Sequence, residues 1–226
     1  MAVYAISDLH LSLGTDKPMS VFGGNWDNYE EKLKTNWNNL ITKDDTVIVN
    51  GDISWATYIE NAVNDFSFIN ELKGTKLVSK GNHDYWWTTM KKQQEFCENN
   101  GFDTIKFLQN NCYVVDDYAI CGTRGWTLTK NDDEDKKIYN RELERLQLSL
   151  REAKKAEVKG IIVGLHYPPD LTFMTVLENF GVTKCVYGHL HGNVHINSSY
   201  FEGEVGGIDY KLVSCDYLDF NPVRLV

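Results

Sequence analysis

The chain has no cysteine pair. Its five cysteines, Cys97, Cys112, Cys121, Cys185 and Cys215, are odd in number, widely spaced and free of any C-x-x-C. This excludes a disulfide framework and a thiolate zinc site, and it fits reduced, buried thiols in a cytoplasmic protein. Long apolar runs are also missing. Met1 leads almost directly into Val3-Tyr4-Ala5-Ile6 with no basic segment, so neither a signal peptide nor a membrane span is expected. Positive charge is scarce: 23 Lys and Arg against 32 Asp and Glu give a net charge of -9. That excludes a general nucleic-acid binder with a basic face, although bound dications would still let the site itself take phosphate. With no Pro/Gly/Ser linker, internal repeat or low-complexity tract, residues 1–226 read as a single domain.

What is present is a series of short apolar runs bounded by Gly, Asp or Asn: Val3–Ile6, Thr46–Val49, Lys76–Ser79, Cys112–Val115, Tyr118–Cys121, Gly160–Leu165 and Lys184–Tyr187. These read as strands. Helical patterns alternate with them, roughly at Trp26–Ile41, Trp55–Leu72, Thr88–Asn99, Asp135–Ala156 and Thr172–Asn179. In the fourth, Tyr139, Leu143, Leu146, Leu150 and Ala153 form one apolar stripe. The acidic run Asp132–Asp135 before it reads as a charge-complemented helix start rather than a metal loop. The alternation predicts an α/β domain with mainly parallel pairing in its first half. The tail from Asn193 to Val226 predicts hairpins that close a second sheet.

Five of the six histidines sit just after these runs. Asp8-Leu9-His10 follows the first, Gly51-Asp52 the second and Gly81-Asn82-His83-Asp84 the third. His166 ends Gly160–Leu165, and Gly188-His189-Leu190-His191 follows Lys184–Tyr187. Loops at the carboxyl ends of strands gather along one edge, where ligands bind. Asp, Asn and neutral His are ligands of divalent first-row metals, so these residues predict a dinuclear metal site and phosphate-ester hydrolysis. Asp8/His10 and His189/His191, each spaced by two, share a face if the chain is extended there. The glycines beside Asp52, Asn82 and His189 permit positive φ or close approach around an ion.

In this order and spacing the motifs resemble the calcineurin-like metallophosphoesterase superfamily. The resemblance implies a four-layer α/β/β/α sandwich of two mixed sheets flanked by helices. It implies that Asp8, His10, Asp52 and His191 bind one ion. Asp52 would bridge to a second ion completed by Asn82, His166 and His189, the ions being Mn, Fe or Zn. His83 would protonate the leaving oxygen with Asp84 orienting it, while a hydroxide between the ions attacks phosphorus. Gly51-Asp52 continues as Ile53-Ser54-Trp55 rather than the Asp-Arg-Gly of protein serine/threonine phosphatases, and Asp84 stands where those enzymes have Glu, so a protein phosphatase is not expected.

Small phosphate mono- or diesters are the expected substrates. The alternatives are a nuclease of the same fold, disfavoured by the acidic charge, and a non-catalytic metal-stabilised scaffold, disfavoured because the whole motif set is present. Arg124, in a glycine-bracketed turn after a strand, is the candidate phosphate fork, with a surface salt bridge as the alternative. Gly122–Gly125 lacks the spacing and Lys of a P-loop. Trp55, Tyr85 and Trp86 lie beside the ligand motifs and could line a pocket, although core packing accounts for most of the aromatics. His195 matches no motif. The segment from Leu11 to Asp27 could cover the site.

Overall fold

The computed structural model describes residues 1–130 and 132–226. The first four strands are β1 (Val3–Ile6), β2 (Thr46–Asn50), β3 (Thr75–Ser79) and β4 (Ile105–Phe107), all paired in parallel. Next come β5 (Tyr113–Val115), β6 (Tyr118–Thr123), β7 (Gly160–Leu165) and β8 (Lys184–Tyr187). The last three are β9 (Gly203–Val205), β10 (Ile208–Leu212) and β11 (Val223–Arg224). One sheet has five strands in the order β11-β1-β2-β3-β4, and the other has six in the order β5-β6-β7-β8-β10-β9. Both mix parallel and antiparallel neighbours.

Side-chain alternation stacks the two sheets. In β1, Val3 and Ala5 face Ile120, Ile162 and Val186 of the second sheet, while Tyr4 and Ile6 face outward under helices. Strands buried on both faces read as continuous apolar runs, so periodicity alone does not show which face is which. The helices are α1 (Tyr29–Leu40), α2 (Val63–Glu71), α3 (Met90–Asn100), α4 (Asp133–Ala153) and α5 (Leu171–Asn179). The first three cover the first sheet through Leu33, Trp37, Phe66, Ile69 and Phe96. The last two cover the second through Leu146, Leu150, Phe173 and Leu177. The molecule is the expected α/β/β/α sandwich of two mixed sheets.

Most element ends shift by a few residues from the sequence reading, and three differences have a visible physical cause or consequence. α1 starts at Tyr29 because Asn28 takes a left-handed φ of 52°, and a 3-10 turn (Gly24–Trp26) precedes it. α2 starts at Val63 because Trp55 N–H donates to the Leu11 carbonyl (2.9 Å), holding that stretch extended beside the first ligand loop. The tail closes the second sheet with the β9–β10 hairpin, as expected, but β11 crosses back to pair with β1. β4 has no counterpart among the expected strands, since three residues carry too little pattern. The acidic run does begin α4: Asp132 caps the Asp135 N–H at 2.8 Å, and Asp133, Glu134 and Asp135 complete the first turn.

Candidate metal centre

The first sheet brings Asp8, His10, Asp52, Asn82 and His83 to its carboxyl edge, and the second brings His166, His189 and His191 to meet them. Local backbone geometry aims the side chains. Asp8 (φ 60°), His10 (46°), Asp52 (49°) and His189 (70°) all lie in the left-handed region, a costly conformation for residues with a Cβ and one that clusters at functional sites. Asp8 and His10 therefore converge through a turn, not through the alternation of an extended segment. The neighbouring glycines serve close approach more than conformation. Gly51 has φ 88°, but Gly81 and Gly188 do not take positive φ, and a Cβ on Gly188 would lie 2.4 Å from Asp8 Oδ2.

The donor atoms form two tight groups, Asp8–His10–His191 and Asp8–Asp52–His166. Asp8 Oδ1 lies 3.4 Å from His191 Nε2, 3.9 Å from His166 Nδ1 and 4.0 Å from His10 Nε2. Asp52 Oδ2 lies 3.4 Å from His166 Nε2 and 3.9 Å from His10 Nε2, reaching both groups. Asn82 Oδ1 is 2.7 Å from His166 Nε2. The His189 ring stands beside these groups, with its centroid 5.2 Å from that of His166 and 4.2 Å from that of Tyr167. Its backbone N–H donates to Asp8 Oδ2 at 3.0 Å.

Electrostatics explain why such a cluster exists in a buried place. Burial pushes the Asp8 carboxyl upward, but His166, His191 and His10 overcome this and hold it far below the usual range. Asp52 is lowered by the same contest, with His166 opposing burial. Burial would lower His166 and His191, yet Asp52 and Asp8 raise the first to about 9, and Asp216 and Asp8 raise the second to about 10. His10 and His189 face less compensation, and burial lowers each to about 4. Two buried carboxylates thus demand cationic charge, and two nearby imidazoles are already neutral and able to donate. An oxygen and nitrogen donor set of this kind fits divalent first-row cations.

Residues 1–193 match the calcineurin-like phosphoesterase family. The chain belongs to that family. Its members hydrolyse phosphate esters with divalent metals, and the donor cluster lies within the matched residues. No curated protein matches the chain. Among solved structures it is similar to a protein of unknown function, AQ665 from Aquifex aeolicus, at 16% identity and TM-score 0.53, covering 99% of this chain and 95% of that one. TT1561 of Thermus thermophilus is similar at 11% identity and TM-score 0.57, covering 99% and 97%. The sulfate thiohydrolase SoxB of Thermus thermophilus is similar at 12% identity and TM-score 0.53, covering 94% of this chain and 51% of that one. These likenesses show the fold.

Two contacts expected of this family member are absent. Asp84 does not orient His83. Its buried carboxylate accepts N–H bonds from Asp52 (2.9 Å), Ile53 (2.8 Å), Gly81 (2.6 Å) and the Trp86 indole (3.0 Å), which pin the Gly51-Asp52 turn against the Gly81–Asp84 loop. Burial and the Asp52 charge raise its pKa to about 6. His83 Nδ1 is buried without a hydrogen-bond partner among the described residues, and Nε2 stands 4.0 Å from Asp52 Oδ2. Arg124 is not in the central cavity either. Its Nη2 lies 3.4 Å from Glu142 Oε1, its side chain is 11% exposed, and its guanidinium stacks on Trp126. The nearly fully buried Glu142 carboxylate holds it in place, so the pair is an internal one rather than a surface salt bridge. The Arg124 carbonyl accepts from His166 and Tyr167 N–H (2.9 Å each) and so supports the ligand loop instead.

Sequence reasoning missed the segment Ser214-Cys215-Asp216. Ser214 Oγ donates to Asp8 Oδ2 at 3.1 Å, and Cys215 Sγ donates to the Asp8 carbonyl at 2.8 Å. Asp216 Oδ1 lies 2.9 Å from His191 Nδ1, and its Oδ2 accepts from Gly192 N–H at 3.1 Å. A bond of this sort fixes which ring nitrogen is presented to an ion. The available signal was placement, because this segment also follows a strand, β10, at the same carboxyl edge. Of the three aromatics beside the motifs, Trp55 lines the cavity, Trp86 is buried and Tyr85 is exposed.

Proposed function

We propose that this chain hydrolyses small phosphate mono- or diesters at a dinuclear metal centre, with residues 1–226 acting as one domain. The observation that carries the reading is the pair of donor groups sharing Asp8, whose members His10, Asp52 and His191 line an open cavity of about 420 Å³ together with His83. Asp8, His10 and His191 would hold one ion. Asn82, His166 and His189 would hold the other, and the reach of Asp52 Oδ2 toward both groups supports it as the bridge. Mn, Fe or Zn suits these donors. Bound there, two dications supply the charge that acidifies an attacking water and neutralises phosphoryl oxygens.

The chain's own residues do the rest. Asp216 and Ser214 hold His191 and Asp8 in their donor geometry, and Asp84 braces the two loops that carry Asp52 and Asn82. His83 faces the cavity beside the Trp55 ring (centroids 4.6 Å apart), and its backbone N–H is anchored on Asp52 Oδ1 at 2.7 Å. A proton at Nε2 of that ring is placed to pass to a departing alkoxide, a contribution typically of about 10²–10⁴-fold.

The test is hydrolysis by metal-reconstituted protein of a panel of phosphomonoesters, phosphodiesters and oligonucleotides, repeated with His83→Ala. The variant should keep its metals and lose kcat, and lose less of it on p-nitrophenyl esters, whose leaving group needs little protonation. Activity confined to oligonucleotides, or equal losses on good and poor leaving groups, would refute the respective parts of the reading.

A further inference from the structure

The segment between the first ligand loop and α1 contributes Met19, Phe22 and Trp26 to the lining of the same cavity. It runs as two short 3-10 turns, Met19–Phe22 and Gly24–Trp26, joined through Gly23. Trp26 packs edge-on to His10 and tilts over His191, each centroid 6.0 Å away. Trp55 stacks on His10 at 5.0 Å and 22°, and its indole N–H points to Met19 Sδ at 3.3 Å. Trp26 and Met19 are buried, but Phe22 is 70% exposed on the cavity wall. The cavity therefore has two chemically distinct linings: histidines and carboxylates, and, packed against those histidine rings, the apolar set Met19, Phe22, Trp26 and Trp55.

The charge distribution narrows what can lie between them. Among the described residues that line the cavity there is no Lys or Arg, and Asp216 adds negative charge to the rim. The exposed Lys17 stands beside the apolar lining, its ammonium 5.4 Å from the centroid of the Trp55 ring. The partly buried cations Lys80, Arg124 and Arg145 line a separate pocket together with Glu142. Apart from the exposed Lys17 ammonium, which is not part of the lining, a substrate carrying a phosphate chain or a second acidic group would meet no counter-charge beyond the metal ligands. A planar apolar group would cover exposed Phe22 and lie against aromatic faces, which favour offset or edge-to-face contact with another ring. Cavities of this volume hold small organic ligands.

Resting on the phosphoesterase reading, we infer that the substrate is a phosphate ester of an aromatic alcohol without a second anionic group, its ring held between Phe22 and Trp55. Phe22 and Trp55 are then specificity-determining residues, and the segment from Met19 to Trp26 is the wall that selects the leaving group.

The test uses phosphonates, which cannot be hydrolysed, so leaving-group reactivity plays no part. Binding of 1-naphthylphosphonate, methylphosphonate and methylenediphosphonate to Mn-loaded protein is measured by calorimetry, for wild type and for Phe22→Ala. Phe22 is exposed, so its truncation leaves the core untouched. Wild type should bind the naphthyl compound at least about 10-fold more tightly than the methyl one, with no gain from the diphosphonate. Phe22→Ala should remove about 3- to 10-fold of the naphthyl advantage and leave methylphosphonate unchanged. Equal wild-type affinities for the naphthyl and methyl compounds, tightest binding by the diphosphonate, or an unchanged naphthyl advantage in Phe22→Ala would overturn the aromatic substrate while leaving the phosphoesterase reading intact. Failure of all three to bind metal-loaded protein would overturn both.

Discussion

Gly188→Ala tests how tightly the donor cluster is built. The added Cβ would sit 2.3 Å from Ser7 Oγ and 2.4 Å from Asp8 Oδ2, about 1 Å short of ordinary van der Waals contact. Neither neighbour can yield cheaply, because Ser7 and Asp8 are fully buried. Moving the carboxylate breaks bonds from Ser214 Oγ (3.1 Å) and His189 N–H (3.0 Å). Overpacking costs about 1–3 kcal/mol, and loss of a hydrogen bond to a charged group about 1.5–3 kcal/mol. We expect the variant to lose about 3–5 kcal/mol in urea denaturation of chelator-treated protein. Displacing a residue shared by both donor groups should also weaken metal binding in calorimetry, by at least about 10–100-fold. Gly192→Ala, in the same motif, is the control. Gly192 has φ 69° but open space around it, so Ala there should cost about 1–2 kcal/mol of backbone strain and leave metal affinity unchanged. Equal effects of the two substitutions on stability and on metal binding would refute the steric argument.

Three further outcomes follow from the geometry. In metal-free protein the carboxylates hold protons on His166 and His191 to about pH 9 and 10. Histidines raised on folding stabilise fully below the unfolded value and lose that contribution as pH rises through the folded values. Chelated protein should therefore lose stability between about pH 7 and 10, and metal uptake near neutral pH should release protons and tighten with pH; calorimetry in buffers of differing ionisation enthalpy reads this, and uptake without proton release would contradict it. Arg124→Ala should lower stability by about 1–3 kcal/mol in denaturation while leaving KM unchanged, since the residue pairs with Glu142; a raised KM at unaltered stability would restore it to substrate binding. Asp216→Ala should weaken metal binding about 10–100-fold in chelator competition, with Asp216→Asn milder, and wild-type affinity in both would remove Asp216 from the centre.

Strand-end placement makes the ligand residues legible in the sequence, because residue type and register are local properties. Asp8, Asp52 and His166 stand out as polar residues directly after apolar runs, and β7 and β8 keep the boundaries that their flanking glycines and polar residues suggest. What escapes is non-local. Nothing near Asp84 says that its carboxylate faces the Asp52 turn rather than the adjacent imidazole. Arg124 reads as a free fork until α4 supplies Glu142 from 18 positions away. Asp216, 25 positions from His191, looks like any turn acid until β10 sets it beside that ring. The left-handed φ values are also invisible, because Asp and His, although enriched there among non-glycine residues, adopt such backbone too seldom for residue type alone to reveal it.

The division of the donors between two sheets bears on how the protein is made. The first half of the chain contributes Asp8, His10, Asp52 and Asn82, and the second half contributes His166, His189 and His191. With only β1–β4 paired, the chain would offer an ion two carboxylates, an amide and one imidazole, and the remaining imidazoles come with β7 and β8. On the proposed function, tight metal capture would mark completion of folding rather than guide its early steps, and the ion would act on the finished molecule as a seal across the seam between its halves.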